Sequence, residues 1–135
     1  YEPLANLAKK LRGEVKYHLF HANILIKQLG NGTEESKLRM QQALEAAFPL
    51  ALGVFERSDH EETLIEEGIF GGEAELQEKW LEAIYEPLQA ANLAMPDVEN
   101  VTPAYGGRKG YHTEHLQPLL NEMTEVLQID PDAEW

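Results

Sequence analysis

Apolar residues recur every three or four positions from Pro3 to Leu29, at Leu4, Leu7, Leu11, Val15, Leu19, Ala22, Leu25 or Ile26, and Leu29. That period is one face of an α-helix, and Pro3 suits its first turn, where the missing N–H would have had no partner. Gly30-Asn31-Gly32 supplies backbone angles that end the helix, and Thr33 is placed to cap a second one whose first turn carries Glu34 and Glu35. The second helix puts Met40, Leu44, Ala47, Phe48, Ala51 and Phe55 on one stripe. It is expected to run to about Glu56 and to bend at Pro49. A turn this short sets the two helices antiparallel, as half of a four-helix bundle.

From Arg57 to Gly72 the period weakens, and a short helix over Thr63–Glu67, closed by Gly68, is the one element it supports. A third long helix is predicted from about Glu73 to Ala94, with Leu76, Trp80, Ile84, Leu88 and Ala91 at core spacing, a bend at Pro87 and an end before Met95-Pro96. Residues 97–110, with Pro103, Gly106, Gly107 and Gly110, show no period and read as an irregular loop. A last helix from about Tyr111 to Leu127 would use His115 or Leu116, Leu119, Leu120, Met123 and Leu127, and the tail from Asp130 to Trp135 is turn-like. No segment alternates with period two. The fold class is all-α, a helical bundle, and 135 residues suit a single domain over 1–135.

Charge narrows the choice of partners. The net charge is −13, so a phosphate backbone or an anionic membrane would be repelled over most of the surface, and no apolar run reaches the length of a membrane span. Nucleic acid and membrane are not expected partners. The charge is uneven: +2 over residues 1–55, −11 over 56–99 and −4 over 100–135. The acidic middle reads as a solvated helix face or as a docking surface for a basic partner. Without a cysteine there can be no disulfide, thiolate metal site or cysteine nucleophile, which fits a cytoplasmic protein.

Five histidines among many carboxylates raise the question of a metal. Bundle di-iron sites are built from inward glutamates and Glu-x-x-His pairs. The residues three before His18, His21, His60, His112 and His115 are Val15, His18, Arg57, Lys109 and His112, so that pair does not occur. Weaker spacings remain: Glu14 with His18, His18 with His21, and His112 with Glu114 and His115. They leave open a free-standing metal-binding helical enzyme with ligands Glu14, His18, His112, Glu114 and His115. The simpler reading makes His18 and His115 half-buried rings hydrogen-bonded to neighbouring carboxylates. Ser36 and Ser58 lack any nucleophile motif, and no catalytic residue is assigned. Gly106-Gly107-Arg108-Lys109-Gly110 could cradle an anion, with exposed N–H groups beside two cations, although it matches no nucleotide-binding fingerprint. Arg108 and Lys109 are therefore candidates for contact with an anion or an acidic partner; otherwise the loop is flexible and its cations pair locally.

Two blocks together resemble one family. Glu14-Val15-Lys16-Tyr17-His18-Leu19 leading to Leu29-Gly30-Asn31-Gly32-Thr33-Glu34-Glu35-Ser36 and Met40-Gln41 is one; Gly106-Gly107-Arg108-Lys109-Gly110 with His112-Thr113-Glu114-His115-Leu116 and Asn121-Glu122-Met123 is the other. They are similar to PaaC-type subunits of phenylacetyl-CoA epoxidase, as is the ending Pro131-Asp132-Ala133-Glu134-Trp135. The resemblance runs over nearly the whole chain. It implies a ferritin-like helical subunit of a monooxygenase complex that epoxidises the ring of phenylacetyl-CoA. In such complexes the di-iron centre belongs to the catalytic partner subunit, and the PaaC-type subunit braces it without a cofactor of its own. Lys37 departs from the family pattern, which often has His there, so even a vestigial pair with Glu34 is missing.

Subunits of this type are nearly twice as long, so the resemblance implies a carboxyl-terminal portion: half of a bundle plus accessory helices. Two helices cannot cover each other's apolar stripes, and the isolated chain is expected to form a homodimer that completes a bundle. A helical interaction module without an epoxidase partner is the remaining alternative.

Overall fold

The computed structural model describes residues 1–132. Among them there are five α-helices and no strand: α1 (Glu2–Gly30), α2 (Glu34–Gly53), α3 (Glu61–Glu66), α4 (Glu73–Ala90) and α5 (Leu116–Ile129), with a 3₁₀ turn at Gly107–Lys109. The all-α prediction holds. The ending of the tail, Ala133-Glu134-Trp135, lies outside the described residues.

The start of the chain forms as its residues dictate. Pro3 stands in the first turn of α1, and Thr33 caps α2 by accepting the Ser36 N–H at 3.1 Å. Ser36 completes the turn by donating its hydroxyl to Leu29 O at 2.7 Å and Thr33 O at 2.9 Å. Gly30 is the one buried residue of α1, and a Cβ placed on it would stand 2.1 Å from the carbonyl oxygen of Ala91. The turn therefore docks, backbone against backbone, on the end of α4. Asn31 fastens it there, donating to Lys27 O at 2.8 Å and Ala90 O at 2.9 Å while accepting from the Asn92 side chain.

Several boundaries differ from the sequence expectation. α2 ends at Gly53 rather than Glu56, because i→i+3 bonds to Ala51, Leu52 and Gly53 tighten the chain into turns over Val54–Glu56. The short helix begins at Glu61 instead of Thr63, and Gly68 follows it with φ 69°. α4 stops at Ala90, not Ala94, because Asn92 takes a left-handed conformation (φ 55°) that bonds back to Gln89 O. The last helix starts at Leu116 and not Tyr111. Tyr111 N instead bonds to Gly106 O at 2.9 Å, which closes the glycine-rich loop rather than opening a helix.

α1 packs on α2 and on α4. The core is small: Leu88, Ala91 and Leu93 are buried together, with Ile26, Met40, Leu44, Ile84 and Met95 packed around them. Phe48 and Leu52 of α2 are also buried, and Trp80 of α4 lies across the rings of Phe48 and Phe55. The chain beyond α4 is stapled to α2. The Gln41 side-chain amide pairs with both the N–H and the carbonyl of Ala94, at 2.8 and 3.1 Å. Further on, Ala104 N donates to Pro49 O at 2.9 Å.

Much apolar surface is left over. Leu4, Leu7, Leu11, Val15 and Leu19 on α1 stay exposed, as do Leu119, Leu120, Met123, Val126 and Leu127 on α5. The accessible surface is 11120 Å², whereas a compact monomer of this mass presents about 7,100 Å².

Gly30→Ala and Gly13→Ala make opposite tests of the packing. The first forces a methyl into the Ala91 carbonyl and should lower unfolding free energy by about 1–3 kcal/mol. The second sits in an exposed helix with nothing within 4 Å of an added Cβ, and should raise it by about 0.5–1 kcal/mol. Urea titration of the two variants compares them directly.

Candidate functional site

The polar residues that the fold brings together are three buried carboxylates, Glu56, Glu61 and Glu73. They come from the turn after α2, the start of α3 and the start of α4. Glu56 points into the glycine-rich loop, where its Oε2 accepts the backbone N–H groups of Gly106 at 2.9 Å and Arg108 at 3.1 Å. Gly106 and Gly110 take left-handed conformations, φ 113° and 84°, and these turn the loop's amides inward. Two amides of the Gly106–Gly110 loop are thus taken by a carboxylate of the same chain.

Arg108 closes the arrangement. Its guanidinium donates to Glu73 Oε1 at 2.6 Å and to Val54 O at 3.3 Å. The backbone N–H of Glu73, at the open start of α4, donates to Glu61 Oε1 at 3.1 Å. Gly72, the cap residue of α4, has no side chain to offer, and Glu61 supplies the missing acceptor from α3. Glu61 Oε2 in turn pairs with Arg57 Nε at 3.1 Å. Among the described residues no buried side-chain nitrogen or oxygen lacks a partner. The cluster is a clasp that ties the end of α2, α3, the start of α4 and the loop before α5.

The N–H of Arg108, then that of Gly106, holds the Glu56 carboxyl below its ordinary value, with the charges of Lys109 and Arg108 helping and burial opposing. Asp97 is lowered chiefly by the Asn100 side chain, which donates to it at 2.6 Å. A carboxyl lowered in the folded state stabilises it at pH values above the unfolded-state value. That contribution is lost as pH falls through the lower, folded-state value.

The metal candidates do not converge. Glu14, His18 and His21 lie exposed on α1, where Tyr17 sits edge-on to the His18 ring and parallel to that of His21. His112, Glu114 and His115 lie exposed between the 3₁₀ turn and the first turn of α5. Among the described residues no three His, Asp or Glu side chains are placed to hold one ion. The expectation that His18 and His115 are half-buried is corrected: both are exposed, His18 on the open face of α1 and His115 at the rim of an open hollow before α5. Ser36 is committed to the α1–α2 turn. Lys37 is half-buried and lines a hollow with Glu34, Gln41 and Asn92. Lys109 is exposed beside the clasp.

Sequence reasoning missed Glu56, Glu61 and Glu73, taking them as part of a charged middle segment. The available signal was the loop itself: a stretch built to hold an anion, in a chain rich in carboxylates.

An all-helical chain whose first two helices form an antiparallel hairpin closed by α4 belongs to the class of helical bundles. Comparison with known proteins gives the family. The model described as Phenylacetic acid catabolic protein matches residues 1–135. One relative is the C-type subunit of 1,2-phenylacetyl-CoA epoxidase from Escherichia coli (strain K12), 34% identical over 134 residues, which are 98% of this chain and 52% of that protein. The chain belongs to the phenylacetic acid catabolic protein family, whose fold is a ferritin-like helical bundle. It spans about half the length of the curated relative it matches.

Arg108→Ala should cost about 1.5–3 kcal/mol, because it strips a charged donor from Glu73. Lys109→Ala should stay within about 0.5 kcal/mol. Denaturant melts of the pair check the contrast. Acidification below the ordinary carboxylate range should accelerate amide exchange at Gly106 and Arg108, after correction for the intrinsic rate. Glu56→Gln should remove that pH dependence, since a neutral amide oxygen accepts at every pH.

Proposed function

We propose that the chain serves as a noncatalytic structural subunit of a phenylacetyl-CoA epoxidase in aerobic phenylacetate degradation, bracing a di-iron catalytic subunit. The observation that carries this reading is the division of the molecule into committed polar groups and uncommitted apolar faces. Its buried carboxylates are held by internal donors, whereas the stripes of α1 and α5 have no cover. A brace needs a fixed frame and contact surface, and this chain has both.

The residues of this chain do not fit a di-iron centre. It has no Glu-x-x-His pair, and among the described residues no cluster of ligating side chains. No chemical step is therefore routed through it. Of the two loop cations, Lys109 faces outward and contributes to an acidic partner contact, while Arg108, already bonded to Glu73, keeps the loop in shape. Among the described residues no helix is long and apolar enough to cross a membrane. In the absence of the partner, the exposed stripes drive the chain to pair with itself.

Co-expression with the catalytic subunit of such an epoxidase, followed by affinity purification and mass spectrometry, tests the reading. The two chains should co-purify in a fixed ratio, with iron following the partner. Stoichiometric iron retained by this chain alone after chelation, or no association, would count against the brace.

A further inference from the structure

We propose that Asn31 is a latent deamidation site, kept unreactive by the docking of the α1–α2 turn on the end of α4 and opened when that junction lets go.

Asn31 is the one asparagine of the chain that a glycine follows. That order exposes the side-chain amide to its own backbone, because no Cβ on the next residue blocks the approach. The Gly32 nitrogen bonds to Cγ of Asn31, the Cγ–Nδ2 bond breaks, and the displaced nitrogen leaves as ammonia with the proton that Gly32 gives up. Water then opens the cyclic imide at one of its two carbonyls and leaves aspartate or isoaspartate at position 31.

In the folded chain both reactants are tied down. Nδ2 of Asn31 donates to Lys27 O at 2.8 Å and to Ala90 O at 2.9 Å, and Oδ1 accepts from the Asn92 side chain. With ψ at 10°, the Gly32 nitrogen nearly eclipses the backbone nitrogen of Asn31 and is turned away from Cβ. The imide closes only after rotation about the Cα–C bond. That rotation carries the start of α2 with it, against the Ser36 hydroxyl on Leu29 O at 2.7 Å and the close seat of Gly30 on Ala91. Solvent is not the barrier, since Asn31 is exposed. The Asn92 donor polarises Cγ, but it also holds Cγ out of the nucleophile's reach.

The product cannot take the same place. Lys27 and Ala90 stand in the last turns of α1 and α4, so carbonyls from the negative ends of two helices converge on one amide group. A carboxylate there loses both donated bonds and adds like charge. Modification of the opened state therefore withdraws the chain from redocking.

The chain is incubated in mildly alkaline buffer, either folded or unfolded in guanidinium chloride, and peptide mapping by mass spectrometry follows the conversion of amide to acid. Position 31 should convert at least about tenfold faster in the unfolded chain. There it should run ahead of Asn100 and Asn121, which precede Val101 and Glu122. Asn92→Gly keeps a residue suited to φ 55° and removes the hold on Oδ1, so it should speed conversion in the folded chain with helicity by circular dichroism unchanged. Arg108→Ala, which costs more stability but acts at the other end of α2, should speed it less. Asn31→Asp should unfold at a lower urea concentration than the native chain. Equal rates in folded and unfolded chains would overturn the inference, as would slower conversion in Asn92→Gly, which would make Asn92 an activator rather than a hold. A greater acceleration by Arg108→Ala than by Asn92→Gly would place the reaction in the globally unfolded chain and overturn the role of the junction. An Asn31→Asp chain as stable as the native one would overturn the claim that modification prevents redocking.

Discussion

The close approach of Gly30 to Ala91 is the contact on which the rest of the bundle depends. Only a residue without a Cβ lets the last turn of α1 reach the Ala91 carbonyl. Once there, Asn31 and Asn92 link side chain to side chain across the junction, with Asn92 in the left-handed conformation that asparagine tolerates better than most residues. The backbone contact brings Ile26 of α1, Leu44 of α2 and Ile84 of α4 around Leu88. Without it the three helices would lack a common origin, and the small core they share would lose its register.

A second fastening works at the other end of α2 and uses charge instead of close packing. Glu56 in the loop amides and Arg108 on Glu73 are directional contacts that join residues 50 or more and 35 positions apart. They differ in kind from the ion pair of Arg39 with Glu35, whose side chains are 78% and 73% exposed and contribute little in water. Burial sharpens the clasp because an unpaired carboxylate there would be costly. Glu61 extends the same logic by providing for α4 the helix cap that Gly72 cannot give.

The helices were legible in the sequence because an apolar period over many residues is a redundant signal; α1 and the turn at Gly30–Gly32 show this best. Their ends were less so. α4 stops where Asn92 turns left-handed, which depends on its tertiary contact with Asn31, and the periodic Leu93 continues in the core without being helical. The delayed start of α5 has a similar cause, since Tyr111 spends its N–H on Gly106. The glycine-rich loop could be read as an anion cradle from local chemistry alone. That Glu56 fills it could not, because the pairing spans 50 residues and many other carboxylates were available. His18 and His115 were misjudged for the converse reason: helical spacing says which residues share a face, not whether anything covers that face.

These two fastenings bear on why so much apolar surface remains outside. Hydrogen bonds and ion pairs fix direction and distance, so a few of them can set the geometry of a frame with a thin hydrophobic core. Apolar contacts are non-directional and scale with area, which suits them to the faces where separate chains meet. In this chain the clasps hold the loop and the start of α4 in place, while the stripes of α1 and α5 stay exposed. The order of this frame thus rests in good part on polar geometry beside a small apolar core.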